Sequence, residues 1–437
     1  MVSRDQNLGI WMNGFHVGTL TKRSTGALEF IYTPEWLETA GARPISLSMP
    51  LQHRPYTGEI VYNYFDNLLP DNKQIRDRIQ SRFKAVTSHP FDLLAVIGMD
   101  CVGAVQIVAE GEEPHDVKRI EGEPLTDSQI AQLLNNYQAA PLGMAEDEDF
   151  RISIAGAQEK TALLWKDDTW NRPVGTTPTT HIIKLPIGKV EYSGMDLSDS
   201  CENEWLCLKI AEAFGLPVCH ADIGMFDDAK ALIVERFDRR HADDWIMRLP
   251  QEDMCQALGV SPNIKYENDG GPGISNIMQF LRQSKESKYD REVFFKAQVL
   301  FWLLAGIDGH AKNFSIFIEP EGRYRMTPLY DIMSAHPLLV SRQLEAKKIK
   351  MAMALSGKNR HYHWDKIQPR HFISTAKQVG FNEKMAKAII TEMMGMVDEV
   401  ITKVESQLPA DFPEDISATI IDGMRKQHDR FVDASLV

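Results

Sequence analysis

Asp308-Gly309-His310-Ala311-Lys312-Asn313, followed later by Asp331, decides the reading of this chain. Phe314-Ser315-Ile316-Phe317-Ile318 reads as a strand. Tyr324-Arg325-Met326-Thr327-Pro328-Leu329-Tyr330 leads up to Asp331, with Glu321-Gly322 as the turn between the two segments. A hairpin of this kind is expected to bring Asp331 back to Asn313 and to a shared metal. One carboxylate can then orient an attacking hydroxyl. The Asn and the second carboxylate can hold the magnesium that neutralises phosphate charge. The pattern points to phosphoryl transfer, with Asp308 catalytic and Asn313 and Asp331 binding metal.

The spacing Asp-x-x-x-x-Asn is that of the protein-kinase catalytic loop. The usual His-Arg before the Asp is absent, and the segment reads Gly306-Ile307-Asp308-Gly309-His310. That departure is closer to the Asp-Arg-His-x-x-Asn loops of lipid kinases. A small-molecule or lipid kinase therefore stays open as an alternative, as does a nucleotide-binding scaffold without turnover.

Upstream, Lys184 sits inside the apolar strand His181-Ile182-Ile183-Lys184-Leu185. A buried charge needs a partner or a ligand. A kinase uses such a lysine to grip phosphates and pairs it with a Glu on the next helix, where Glu202 and Glu204 are the candidates. The segment Ser153 to Lys160 lies where kinases place a phosphate cover. It holds one glycine, Gly156, and is neither a Walker A loop nor G-x-G-x-x-G. Ile154, Ala155, Gly156, Ala157, Gln158, Glu159 and Lys160 are its candidate ATP contacts. Val234-Glu235-Arg236-Phe237 follows a buried strand where the two lobes of a kinase would join and adenine would be read. His310, beside Asp308, is expected to donate a hydrogen bond in the site.

The chain has 437 residues, 43% of them hydrophobic and 25% charged, enough for two or three ordinary globular domains. The opening residues run straight into a strand-like segment with no signal-peptide pattern. The longest apolar run, Val299 to Ile307, is too short for a membrane span and reads as a buried helix end. Five cysteines without C-x-x-C spacing suggest reduced thiols in the cytoplasm. Net charge is −13, which opposes DNA binding by this chain alone. A local basic surface remains at Lys347-Lys348-Ile349-Lys350 and Lys358-Asn359-Arg360. His361-Tyr362-His363 reads as a loop without zinc-ligand spacing.

Residues 1–108 read as a small α/β subdomain opened by a hairpin over 8–20 with Asn13-Gly14 at its turn. Residues 109–149 read as a linker with a short helix capped near Thr126. Residues 150–240 form a β-rich nucleotide lobe, and 241–437 a helical lobe with the catalytic loop. Helices are expected over Glu202 to Phe214, Val293 to Ile307 and Asn382 to Val404. The fold class is α+β, a two-lobed protein-kinase-like fold with an N-terminal α/β subdomain and a largely helical C-terminal lobe.

Nearly the whole chain resembles the HipA family, the serine/threonine-kinase toxins of HipBA toxin–antitoxin modules. The resemblance is carried by Phe65-Asp66-Asn67-Leu68-Leu69-Pro70-Asp71, by Phe150 to Ala162, by Thr180 to Lys184, by Val234 to Arg240, by Leu249-Pro250-Gln251-Glu252-Asp253-Met254 and by Asp308 to Asn313. It implies ATP and Mg2+ as cofactors, and Glu235, Arg236, Phe237, His310 and Tyr330 at the nucleotide. It implies Ser153 as an autophosphorylated serine. It further implies a HipB-like helix-turn-helix antitoxin dimer as partner, with operator DNA bound mainly through that antitoxin. The implied protein substrate is glutamyl-tRNA synthetase, whose modification leads to growth arrest and persistence.

Overall fold

A computed structural model describes residues 5–139, 152–153, 158, 160–190 and 194–435. The chain divides into two compact units, each assembled from separated segments. One comprises Met1–Leu185, Gly224–Asn263 and Ser315–Tyr324; the other comprises Pro186–Ile223, Ile264–Phe314 and Arg325–Val437.

In the first unit, strands Gln6–Met12 and Phe15–Lys22 form the expected hairpin. Asn13 and Gly14 both take positive φ (49° and 86°), the conformation a two-residue turn needs to match strand twist. Leu8, Ile10 and Met12 alternate inward and are buried. The antiparallel sheet runs Tyr56–Thr57, Leu28–Tyr32, Phe15–Lys22, Gln6–Met12, Val105–Ala109. Helix Glu59–Asn67 buries Val61, Tyr64 and Phe65, and the Phe65 ring lies 6.2 Å from that of Phe30 on the sheet. Two further helices, Lys73–Arg82 and Pro90–Ile97, follow it.

A second sheet has the order Ala221–Phe226, Ala229–Glu235, His181–Lys184, Lys160–Lys166, Thr169–Pro173, Gly122–Pro124. Residues 122–124, in the stretch read as linker, therefore belong to a sheet, with Asn171 opposite Pro124. Helix Asp127–Ala139 follows the Thr126 cap.

Where the first unit's segments meet, five charged side chains are almost completely buried. Arg236 donates to Asp238 and Asp100, Arg239 to both of the same aspartates, and Arg248 to Asp100. Three guanidiniums face two carboxylates, so the cluster carries one excess positive charge. Backbone oxygens supply the balance. The Cys101 carbonyl accepts from Arg236 and Arg239, the Gly103 carbonyl from Arg239, and the Thr176 carbonyl from Arg248. Burial alone would push Asp100 up. The guanidiniums of Arg239, Arg236 and Arg248 outweigh it and hold this carboxyl well below the usual range.

The second unit is mainly helical. Its long helices are Ser200–Ala213, Ser287–Leu303, Glu383–Glu405 and Glu414–Ser435, with Pro369–Gln378 between. The first ends where expected: Phe214 caps it, and Gly215 takes φ +76° before Pro217. Asn382 caps the third by accepting from the N–H groups of Lys384 and Met385. The helix expected over Val293 to Ile307 starts earlier and stops at Leu303. Ala305 turns left-handed at φ 48°, and the Gly306 N–H closes onto the Phe301 carbonyl at 2.7 Å. The apolar run continues past the helix because the turn itself is buried. His361 to His363, read as a loop, lies in strand Arg360–His363, paired with Lys350–Ser356. The basic side chains Lys347, Lys348, Lys350, Lys358 and Arg360 are exposed there. Among the described residues no helix is long and apolar enough to cross a membrane.

Two outcomes follow for the first unit. Removing one partner of a buried ion cluster leaves uncompensated charge, which typically costs about 3–5 kcal/mol. Asp100→Ala should lose stability on that scale in chemical denaturation, whereas exposed Glu113→Ala should change it by less than about 0.5 kcal/mol. Glu252 is fully buried and accepts from the Leu47 N–H at 2.8 Å. Burial pushes its carboxyl up to about 8. With the folded value above the unfolded one, the fold binds the extra proton. Stability should therefore fall as pH rises from about 4.5 to about 8 and level off above that. Glu252→Gln should flatten this slope, measured as denaturation midpoints at pH 5 and pH 8.

Candidate active site

Helix Ser287–Leu303 leads into the turn that carries Asp308. After its buried exit the chain reaches Asp308, whose carbonyl accepts from the His310 N–H at 2.8 Å. Gly309 is required here by close approach, since a Cβ at this position would run into the Phe301 ring. A one-turn 3-10 helix, Ala311–Asn313, follows, and the Asn313 N–H donates to the His310 carbonyl at 2.9 Å. The Asp308 side chain is 47% exposed while that of His310 is 6% exposed, so the loop presents the carboxylate and buries the imidazole.

Asn313 closes the site. Its amide nitrogen donates to the Asp308 carbonyl at 2.8 Å and reaches the Asp331 carbonyl at 3.5 Å. Two carbonyls on one side of the amide define that atom as the donor. The amide oxygen is consequently directed elsewhere and is the ligand atom Asn313 can offer. Asp331 holds φ 59°, a left-handed conformation costly for a residue with a Cβ and frequent at functional sites. The Tyr330 hydroxyl donates to the Lys312 carbonyl at 2.7 Å, tying the Asp331 segment to the Asp308 turn. Asp308, His310, Asn313, Tyr330 and Asp331 are thus one constellation within the second unit. The hard oxygen donors of Asn313 and Asp331 suit magnesium, which takes one or two carboxylates from protein and the rest from water and phosphate.

In the first unit, Lys184 is buried on a central strand, opposite Lys160 on one side and Leu232 on the other. Gln158 donates to the Leu185 carbonyl at 2.5 Å, which places this residue of the expected phosphate cover beside the lysine strand. Ile154, Ala155, Gly156, Ala157 and Glu159 lie outside the described residues. Glu202 and Glu204, the two candidate partners of Lys184, are buried on helix Ser200–Ala213 of the second unit.

At the end of strand Ala229–Glu235, Glu235 is exposed and the Phe237 ring packs edge-on to Phe317 at 5.9 Å. The Arg236 side chain points into the first unit's interior. Its guanidinium is the hub of the buried cluster, its N–H donates to the Thr180 carbonyl, and its carbonyl accepts from Arg239. The Arg236 side chain is thereby taken up by the buried cluster, where it shapes the end of the strand. The arginines of Val234 to Arg240 signalled this only through their density, because their partner Asp100 lies more than a hundred residues away.

Ser153 is completely buried. Its hydroxyl donates to the Leu68 carbonyl at 2.7 Å, and residues 152–153 pair in parallel with Asp100–Cys101.

Comparison with known proteins agrees with this architecture. The HipA N-terminal domain family matches residues 8–108, and the HipA-like C-terminal domain family matches residues 152–401. The chain is 32% identical over 428 residues to the putative kinase Y4mE of Sinorhizobium fredii (strain NBRC 101917 / NGR234), covering 96% of this chain and 95% of that protein. It is 30% identical over 316 residues to the serine/threonine-protein kinase toxin HipA of Shewanella oneidensis, covering 69% of each. Among solved structures, the Shewanella oneidensis MR-1 complex of HipA, HipB and operator DNA matches with a TM-score of 0.81 at 23% identity, over 98% of this chain and 97% of that one, a likeness of fold. With both family domains matched in order along one chain, and the Asp308 turn built as described, the protein belongs to the HipA family and has its kinase-like fold.

Proposed function

We propose that the chain is a magnesium- and ATP-dependent protein serine/threonine kinase serving as the toxin of a toxin–antitoxin pair. The observation that carries this reading is the Asn313 amide, which draws the Asp308 and Asp331 backbones together and turns its oxygen away from both. In the proposed reaction the acceptor hydroxyl oxygen bonds to the γ-phosphorus. The bond from that phosphorus to the bridging oxygen breaks, and ADP leaves with the electron pair. Asp308 takes the hydroxyl proton. Asn313 and Asp331 would hold the magnesium, which neutralises charge building on the phosphates. Lys184 grips phosphate, and Glu235 and Phe237 frame adenine through their backbone. His310 and Tyr330 line the nucleotide.

The partner in this reading is a HipB-like helix-turn-helix antitoxin, as in the Shewanella oneidensis complex. Operator DNA would be met mainly through that antitoxin, because a net charge of −13 opposes phosphate contact by this chain. Glutamyl-tRNA synthetase is the proposed substrate on the family resemblance, with growth arrest and persistence as the outcome in the cytoplasm.

Asp308→Ala should lower phosphotransfer by roughly 10²–10⁴-fold with the fold retained. The assay is γ-labelled ATP, magnesium and lysate, with phosphosites mapped by mass spectrometry. Full activity in that variant would remove Asp308 from the chemistry.

Ser153 generates a second expectation. Its hydroxyl, buried against the Leu68 carbonyl, is out of reach while residues 152–153 stay on the Asp100–Cys101 edge. Self-phosphorylation therefore requires that pairing to open. A phosphate carrying about −1.5 to −2 charges cannot return to a dry site facing a carbonyl oxygen. Protein phosphorylated at Ser153 should lose ATP affinity, and phosphatase treatment should restore it. Equal affinity of the two forms in calorimetry rejects the switch.

A further inference from the structure

We infer that Tyr266 is a positioning residue for Asp308, holding one carboxylate oxygen so that the other meets the acceptor hydroxyl. The inference rests on the assignment of Asp308 as catalytic. The Tyr266 hydroxyl donates to Asp308 Oδ1. His310 Nε2 lies 3.9 Å from the same oxygen. The Tyr266 ring meets the His310 ring edge-on, with centroids 4.9 Å apart and planes at 88°. Both side chains therefore converge on Oδ1, although the Asp308 side chain is nearly half exposed. An exposed carboxylate otherwise rotates about its terminal torsion, which is broad and roughly two-fold. A donor on Oδ1 removes that freedom and leaves Oδ2 for a proton arriving with the acceptor.

Tyr266 is itself delivered by a braced segment. The preceding Lys265 carbonyl accepts from the Ala311 N–H of the catalytic turn at 3.3 Å. The Tyr266 carbonyl accepts from both Asp269 and Gly271 N–H groups, at 3.1 and 2.9 Å. The next residue, Glu267, accepts from the Ala354 N–H at 2.6 Å and pairs with Arg360 at 3.4 Å. The phenol thus stands on a turn fastened at three points, and its backbone partner is the loop that carries the base. An incidental surface tyrosine would not be anchored on both sides of its hydrogen bond.

The test is Tyr266→Phe, which keeps the ring against His310 and removes only the hydroxyl. ATP turnover of the full chain is followed with γ-labelled Mg-ATP, counting label released as phosphate and label transferred to the chain. The expected result is a fall in kcat on the order of 10- to 100-fold with KM for ATP unchanged, as loss of orientation at a reacting group produces. The same substitution made in an Asp308→Asn background should have no further effect, because Tyr266 acts through that carboxylate. An unchanged kcat in Tyr266→Phe, or an equal loss in the Asp308→Asn background, overturns the inference while leaving Asp308 in place. Undiminished turnover in Asp308→Asn alone overturns the catalytic assignment, and the role of Tyr266 falls with it.

Discussion

Burying three arginines with two aspartates is the constraint on which the first unit is built. Asp100 belongs to the N-terminal segment, and Arg236, Asp238, Arg239 and Arg248 to a segment far along the chain. Taking these charges out of water is unfavourable for each alone. They are stable only together, and only where the Cys101, Gly103 and Thr176 carbonyls complete the shell. The cluster therefore specifies one arrangement of distant segments where apolar packing would tolerate several. It also fixes the edge Asp100–Cys101, on which Ser153 is paired. Ser153 is thus paired with the short strand that carries Asp100 of the ion cluster.

The Asp308 turn of the second unit is held by a different device. Its main chain is fastened by short-range hydrogen bonds around Asp308, and two residues with side chains, Ala305 and Asp331, sit left-handed on either side of it. Such conformations persist only where the surroundings over-determine them. Here the surroundings are the dense packing of Phe301 beneath Gly309, the Asn313 amide and the Tyr330 hydroxyl. The turn is buried on its inner side, with the Asp308 carboxylate half exposed on the outer.

Linear pattern was sufficient for elements whose cause is local. The first hairpin follows from alternation and Asn13-Gly14, the end of helix Ser200–Ala213 from Gly215 and Pro217, and the start of helix Glu383–Glu405 from the Asn382 cap. The spacing of Asp308, Asn313 and Asp331 was legible for the same reason, since the donors lie within one turn and one hairpin. The helix ahead of them was misplaced because hydrophobicity reports burial, and a buried turn is as apolar as a buried helix.

What the sequence by itself determined is the first hairpin, the caps of two long helices and the candidate residues for phosphate transfer. Each of these depends on side chains a few positions apart. Only the tertiary structure decided that Arg236 belongs to an ion cluster, that Ser153 is sealed against Leu68, and that Tyr266 touches Asp308. Those partners are separated by 136, 85 and 42 positions. A hydrogen bond is made over about 3 Å whatever length of chain joins its ends. No periodicity or spacing encodes such a meeting, because it is set by where the rest of the chain folds.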